Sequence, residues 1–295
     1  MKRIQRIVAA TDLSAPARQA AERAARLALE QQTSMELLHV AERGLLDGLR
    51  ELIGQQSEQI TTQLLDRTRQ DLQDLANDLA ASGLAAPAIH LAVGQVLNEI
   101  ASRVDALDAG LVVVGAHGAG FVEEALLGSI AERLLRKIRH PLLVVRRPAA
   151  QAYQRVLVPV DFSGWSREAL RLALAIAPQA EITVIHAYLV PFESKLRLAG
   201  VNEGEILQYR AEAQDKARSE MKRLLASLEL APENVRRVIV HGDAAPSILQ
   251  QVEKDQTDLI VMGKHGNSPL EELLLGSTTK HVLAEARVDV LSAYR

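Results

Sequence analysis

Short apolar runs alternate with longer amphipathic stretches along the whole chain. Residues 4–10 form an apolar run that stops at Thr11-Asp12, which reads as a strand. Residues 13–29 are Ala-rich with apolar positions at helical spacing; Asp12 or Ser14 is placed to cap this helix, and Pro16 suits its first turn. A second strand is expected at 35–40 and a long helix at 56–79, with Ile60, Leu64, Leu65, Leu72, Leu75 and Leu79 near one face. A strand at 89–93, a helix at 95–106, a strand at 111–115, a helix at 124–138 and a strand at 142–145 complete the first half. The run at 111–115 is apolar without alternation, as in a strand covered on both faces.

The pattern then starts again. Thr11-Asp12-Leu13-Ser14 returns as Val160-Asp161-Phe162-Ser163, with the two Asp residues 149 positions apart. Leu38-His39-Val40 returns as Ile185-His186-Ala187 at an offset of 147. Val114-Gly115-Ala116-His117-Gly118 returns as Met262-Gly263-Lys264-His265-Gly266, and Leu127-Gly128-Ser129 as Leu275-Gly276-Ser277, both at 148. Landmarks that keep one offset to within a residue mark a duplicated unit, and the period is too long for a solenoid. The second half is expected to place strands at 155–160, 181–187, 235–240, 258–262 and 288–293, and helices at 167–177, 204–228, 244–255 and 271–286. Domains are therefore expected at 1–148 and 153–295, as the length of 295 residues at about 150 per domain also suggests.

Strands alternating with helices imply parallel strands joined by right-handed crossovers. The expected fold is α/β: two tandem Rossmann-like, doubly wound domains, each a five-stranded parallel sheet flanked by helices. Such sheets bind ligands beyond the carboxyl ends of their strands, where the strand order reverses. The repeated landmarks fall at those ends.

Composition narrows the classes. Hydrophobic residues make up 48% of the chain, enough for a core, but aromatics only 3%, so Ala, Val, Ile and Leu must fill it. With 34 basic against 37 acidic residues, no excess positive charge points to nucleic acid or an anionic membrane. The absence of cysteine excludes disulfides, Cys-based metal sites and a thiol nucleophile, and fits a reducing cytoplasm. No apolar run reaches a membrane span, and the start of the chain lacks a signal-peptide pattern.

The candidate chemistry lies in Gly115-x2-Gly118-x9-Gly128-Ser129 and Gly263-x2-Gly266-x9-Gly276-Ser277. The first two glycines end a buried strand and let the chain turn sharply near a ligand. Gly-Ser then enters a helix whose unpaired N–H groups favour a phosphate or another anion. Glycines that merely end strands are the alternative, which two loops of identical spacing disfavour. Neither loop is a Walker A or a Gly-x-Gly-x-x-Gly dinucleotide loop.

With these motifs in this order, the sequence resembles a tandem universal stress protein of the nucleotide-binding branch, over nearly all its length. The resemblance implies the adenine nucleotide alpha hydrolase-like fold and binding of ATP or a related adenine nucleotide. Ala10, Thr11, Pro159 and Val160 would line the base pocket, and Asp12 and Asp161 would lie near base and ribose. Val40 and Ala187 would offer backbone contacts to adenine. Gly115, Gly118, Gly263 and Gly266 would approach ribose and phosphate. Gly128-Ser129-Ile130 and Gly276-Ser277-Thr278 would hold the phosphates. A magnesium ion beside the triphosphate would keep several waters and need little from the protein. The implied role is a stress-response regulator with an unidentified protein partner, its domains paired by their fifth strands into an internal pseudo-dimer, with a homodimer of chains as a further step. A slow ATPase or adenylate-transferring enzyme, and an interaction module with vestigial loops, are the alternatives; no general base or nucleophile is evident.

Other residues read more plainly. His117 and His265 sit inside the loops as phosphate contacts or loop-ordering side chains. Lys264 is placed to neutralise phosphate, but Ala116 holds the matching position. His39 and His186 are expected as satisfied core or pocket-edge residues, and Ser14 and Ser163 as helix caps. Glu123-Glu124 and Glu271-Glu272 suit the positive end of a helix dipole. Residues 41–55 and 188–204 read as variable loops, with lids over the pockets as the alternative. Ala187, smaller than Val40, predicts a looser second pocket, and Gly242 to Pro246 replaces Gly94-Gln95-Val96 after the third strand.

Overall fold

A computed structural model describes residues 4–53, 57–118, 127–228, 235–266 and 275–294. The first half runs β1 (Arg6–Ala10), α1 (Ala15–Gln31), β2 (Ser34–Glu42), α2 (Arg43–Ile53), α3 (Ser57–Ala81), β3 (Ala88–Gly94), α4 (Val96–Ala106), β4 (Leu111–Gly115), α5 (Ser129–Lys137) and β5 (Leu142–Val145). The second runs β6 (Arg155–Pro159), α6 (Gly164–Ile176), β7 (Glu181–Tyr188), α7 (Glu193–Leu198), α8 (Glu203–Ala226), β8 (Val235–His241), α9 (Ala244–Asp255), β9 (Leu259–Gly263), α10 (Ser277–Glu285) and β10 (Asp289–Ala293). Two compact units result. One comprises residues 1–152 with 287–291, the other 153–286 with 292–295, so β10 is divided between them.

In the first unit the strands lie in the order β3-β2-β1-β4-β5, every pair parallel. β1 has β2 on one side and β4 on the other, which is the reversal that opens a crevice beyond its carboxyl end. The second unit repeats this, with β6 between β7 and β9, and β8 outside β7. β1 and β4 are covered on both faces, and Ile7, Val8, Leu111, Val112 and Val113 are fully buried.

Small residues set how closely the helices approach. α1 buries Ala17, Ala20, Ala21, Ala24 and Ala28 with Leu27, a narrow face that lies close on the sheet. It begins at Ala15, two residues after the expected start, with Ser14 as the N-cap, its Oγ accepting from the Ala17 N–H, and Pro in the first turn. Ser163 caps α6 in the same way through the Ser166 N–H (3.2 Å). Both serines are therefore caps. In α3 the predicted stripe is buried at Leu72, Leu75 and Leu79, while Leu64 stays exposed.

Two expectations are corrected. Residues 43–53 and 193–198 are helical rather than loop. Among the described side chains of α2, Leu46 is buried while Leu45 and Leu52 face outward; the helical spacing of Leu45, Leu46, Leu49, Leu52 and Ile53 was the signal available in the sequence. The helices expected from 124 and 271 begin instead at Ser129 and Ser277, because Gly128 and Gly276 are extended N-caps. Glu123, Glu124, Glu271 and Glu272 lie outside the described residues.

Charge ties α7 down. The Glu193 side chain, only 11% exposed, pairs with Arg210 of α8 and with Arg197 (3.1 Å), and accepts from His241 Nε2 at the end of β8 (2.9 Å). The Arg210 hydrogen bond outweighs burial and, with His241, holds the Glu193 carboxyl below the ordinary glutamate range. A folded value below the unfolded one means that the tie contributes above the unfolded glutamate range and is lost as pH falls through the depressed value. Glu193→Gln should mimic that loss at neutral pH. Hydrogen exchange should then quicken at 193–198 and stay unchanged along α8; equal exchange in parent and variant would show that apolar contacts hold α7 instead.

Candidate functional site

The carboxyl end of β1 makes a sharp departure. Thr11 continues the ladder by donating its N–H to the Leu38 carbonyl (2.9 Å). Asp12 then accepts the Ser14 N–H on Oδ1 (3.0 Å), an Asx turn that leads into α1. Between them Leu13 takes a left-handed conformation, φ 64°. Phe162, its counterpart, has φ 65°. A non-glycine residue in this region is strained, and the Thr11 hydroxyl, which accepts the Leu13 N–H (3.0 Å), helps hold it there. No Gly or Asn marks the turn, so the sequence offers no sign of it beyond the repeat itself.

The second unit anchors its acid through a different hydroxyl. Asp161 Oδ1 accepts from the Ser163 N–H (3.0 Å) and the Ser166 hydroxyl (2.6 Å), and the Asp161 N–H donates to that same hydroxyl (2.8 Å). Ala17 stands where Ser166 does, and Asp12 Oδ1 accepts instead from the Ser14 hydroxyl (2.5 Å).

Each glycine of the loop has a distinct neighbour. A Cβ at Gly115 would lie 3.0 Å from the Pro16 carbonyl group, and one at Gly263 would lie 2.7 Å from Trp165 Cβ. These glycines let the first turn of α1 close onto the end of β4, and that of α6 onto the end of β9. A Cβ at Gly118 would stand 2.8 Å from Asp12 Oδ2, and one at Gly266 would stand 3.0 Å from Asp161 Oδ2. The second glycine thus faces the carboxylate. The Gly128 N–H donates to the Ala116 carbonyl (2.7 Å) and the Gly276 N–H to the Lys264 carbonyl (3.2 Å), closing both loops. With Gly128 and Gly276 as N-caps, no side chain caps α5 or α10, and their first-turn N–H groups are left for solvent or an anion.

These parts enclose one cleft in each unit. The first, about 390 Å³, collects Ala10, Thr11 and Asp12 from the end of β1 and Val40 from β2. Gly115, His117 and Gly118 line it after β4, and Gly128, Ser129 and Ile130 at the start of α5. The second, about 160 Å³, collects Pro159, Val160, Asp161 and Ala187 with Gly263, His265, Gly266, Gly276, Ser277 and Thr278. Apart from Lys264, every residue the sequence singles out for a ligand borders one of the two clefts.

The looser second pocket is a corrected expectation. Met262 stands where Val114 does, Ser166 where Ala17 does and Thr279 where Ala131 does, all lining the clefts. These larger side chains offset the smaller Ala187. Thr279 also donates its hydroxyl to the Gly263 carbonyl (3.0 Å). Lys264 is not among the lining residues: it is buried, with Nζ 5.6 Å from the centre of the Tyr294 ring. His265 packs edge-on against Trp165, ring centres 4.9 Å apart, as a loop-ordering side chain would.

Some lining residues escape the sequence reading. Val96 and Ile100 of α4, and Ala244 and Ile248 of α9, form an apolar wall. Their four-residue spacing and repeat offset of 148 were the available signal. Glu42 joins the first cleft alone. Among the described residues no cluster of His, Cys, Asp or Glu is arranged to hold a metal ion, and no helix is long and apolar enough to cross a membrane.

Fold and clefts together define a tandem α/β protein with a repeated glycine-loop pocket at each switch point. The sequence model of the universal stress protein family matches residues 3–146 and 152–292. The chain belongs to that family. A universal stress protein of Mycobacterium tuberculosis is 31% identical over 191 residues, covering 63% of this chain and 62% of its own. The chain thus spans about three fifths of that relative's length. A shorter one from Methanocaldococcus jannaschii is 29% identical over 156 residues, covering 48% of this chain and 96% of its own. The crystal structure of a universal stress protein from Archaeoglobus fulgidus superposes with a TM-score of 0.70 at 21% identity, over the whole of both chains.

Proposed function

We propose that this universal stress protein binds ATP, or a related adenine nucleotide, in both clefts, and that occupancy regulates a protein partner during stress in the cytoplasm. One observation carries the reading. In each unit the Gly-x2-Gly-x9-Gly-Ser loop brings an uncapped helix N-terminus and a turn-anchored carboxylate to the same cleft at the strand-order reversal.

The chemistry matches the parts of a nucleotide. First-turn N–H groups with the Ser129 and Ser277 hydroxyls suit phosphate oxygens, and the helix dipole favours their charge. Asp12 and Asp161 are acceptors for ribose hydroxyls. Aliphatic walls from α4 and α9 suit a base in a protein with so few aromatic rings. The first cleft, near 390 Å³, falls in the range of small-molecule sites, about 300–1,000 Å³, and the second, near 160 Å³, lies below it. Magnesium would arrive with the triphosphate and keep most of its waters. The two nucleotide-binding domains are taken as residues 1–148 and 153–295.

Mass spectrometry of ligand released from the purified protein, with thermal unfolding against added ATP, tests this. Nucleotide is expected in the released fraction. Stability should rise by about 2.7 kcal/mol when ATP reaches a hundred times its dissociation constant. No released nucleotide and no thermal shift at millimolar ATP would end the proposal.

A further inference from the structure

We infer that His39 and His186 are specificity-determining residues, each presenting the lone pair of Nε2 to the exocyclic amine of the bound base. The inference rests on the nucleotide reading above and goes beyond it by naming what selects the base.

The two rings occupy matching positions on β2 and β7. His39 Nδ1 lies 2.8 Å from the Thr11 carbonyl oxygen, and His186 Nδ1 lies 2.8 Å from the Val160 carbonyl oxygen. A carbonyl oxygen can only accept, so Nδ1 carries the proton. A neutral imidazole has one N–H, which leaves Nε2 as an acceptor. Neither ring has a second hydrogen-bond partner among the described residues, and neither Nε2 is a buried orphan atom. Both residues line their clefts, so Nε2, at the far end of the ring, reaches the open space.

The rings are also held in orientation. Each Nδ1 is bound to the residue just before the cleft's Asp, at the end assigned to the base. In the second unit Phe162 lies against the His186 ring, centres 4.3 Å apart, and its left-handed backbone puts it there. An acceptor held this way favours a 6-amino purine, whose amine donates, over a purine with no donor at position 6. A site built to accept a hydrogen bond rejects the analogue that cannot make it.

Affinities of the full chain for ATP and for purine ribonucleoside triphosphate, which carries hydrogen at position 6, decide the matter. They are measured at pH 8, above the ordinary imidazole range. The parent should favour ATP by about tenfold, the order expected for one hydrogen bond. In the double variant His39→Asn/His186→Asn the amide Nδ2 can still donate to the Thr11 and Val160 carbonyls, but nothing replaces Nε2. It should bind the two nucleotides alike. A variant that keeps the tenfold preference, or a parent that shows none, overturns the inference. Should neither nucleotide bind the parent, the nucleotide reading itself fails first. Nitrogen NMR of the parent's imidazoles gives a check that needs no variant: Nε2 should shift on adding ATP and not on adding the analogue. An Nε2 indifferent to ATP overturns the inference.

Discussion

Gly276→Ala should leave the second unit within about 1 kcal/mol of its parent stability yet weaken nucleotide binding there by about ten- to a hundredfold. A Cβ at Gly276 would meet nothing nearer than Thr279 Oγ1 at 3.6 Å, and its φ of −56° with ψ of 142° is open to any residue. Protein packing therefore does not require glycine. The methyl group would stand at the N-cap of α10, where the phosphate of the proposed nucleotide would approach the first-turn N–H groups. Gly263→Ala should behave in the opposite sense. Its Cβ would lie 2.7 Å from Trp165 Cβ and 3.1 Å from the His265 carbonyl oxygen, both anchored to backbone. Relief needs a shift of α6 against β9, at a cost of about 1–3 kcal/mol. Denaturant titration reads the stabilities. Trp165, the chain's one tryptophan, packs on His265 at the second cleft, so its fluorescence reads binding at that cleft. Undiminished ATP affinity in Gly276→Ala would remove the phosphates from the start of α10.

Arg103→Met should destabilise the first unit by about 1–3 kcal/mol. Arg103 of α4 makes a two-pronged contact with Glu36 of β2, at 2.8 Å through Nε and 2.6 Å through Nη2. The Glu36 side chain is 10% exposed and that of Arg103 30%. Removing the guanidinium leaves a carboxylate mostly out of water, and the partial exposure of the pair keeps the loss below that of a fully buried one. The hydrogen bond to Glu36 likewise holds the Arg103 guanidinium above its ordinary pKa.

The second unit shows that the fold does not need this pair. Thr183 and Gln251 stand at the repeat positions of Glu36 and Arg103. There Gln251 donates to Asp255 (2.7 Å), and Arg236 reaches the Thr183 hydroxyl (3.2 Å). The double variant Glu36→Thr/Arg103→Gln, copied from the second unit, should therefore recover most of the loss. Two single variants and the double, unfolded in urea, give the coupling directly. A double variant as unstable as Arg103→Met would place the cost in lost packing by the arginine stem rather than in a stranded charge.

Much of the site was legible because duplication makes pattern measurable. One glycine loop is a weak signal. Two loops of identical spacing, each following a buried strand and paired with an Asp after the first strand, located both clefts. α2 was overlooked although Leu45, Leu46, Leu49, Leu52 and Ile53 recur at helical spacing, whereas α7 was not legible because the charges around Glu193 hold it. The relative size of the two clefts was misread from the single difference between Val40 and Ala187. It depended on side chains from other elements, among them Met262, Ser166 and Thr279.

By itself, then, the sequence determined the α/β alternation, the repeat and the residues that gather at the strand ends. Those follow from local periodicity and from glycine and Asp at set intervals, which act over a few residues. Only the tertiary structure decided that Gly118 and Gly266 face a carboxylate, and that Leu13 and Phe162 turn left-handed. It also decided that the His39 and His186 rings each bind a backbone carbonyl just beyond β1 or β6 through Nδ1 while lining their clefts. The glycine and histidine placements depend on atoms brought together from distant parts of the chain, by packing that no local pattern encodes.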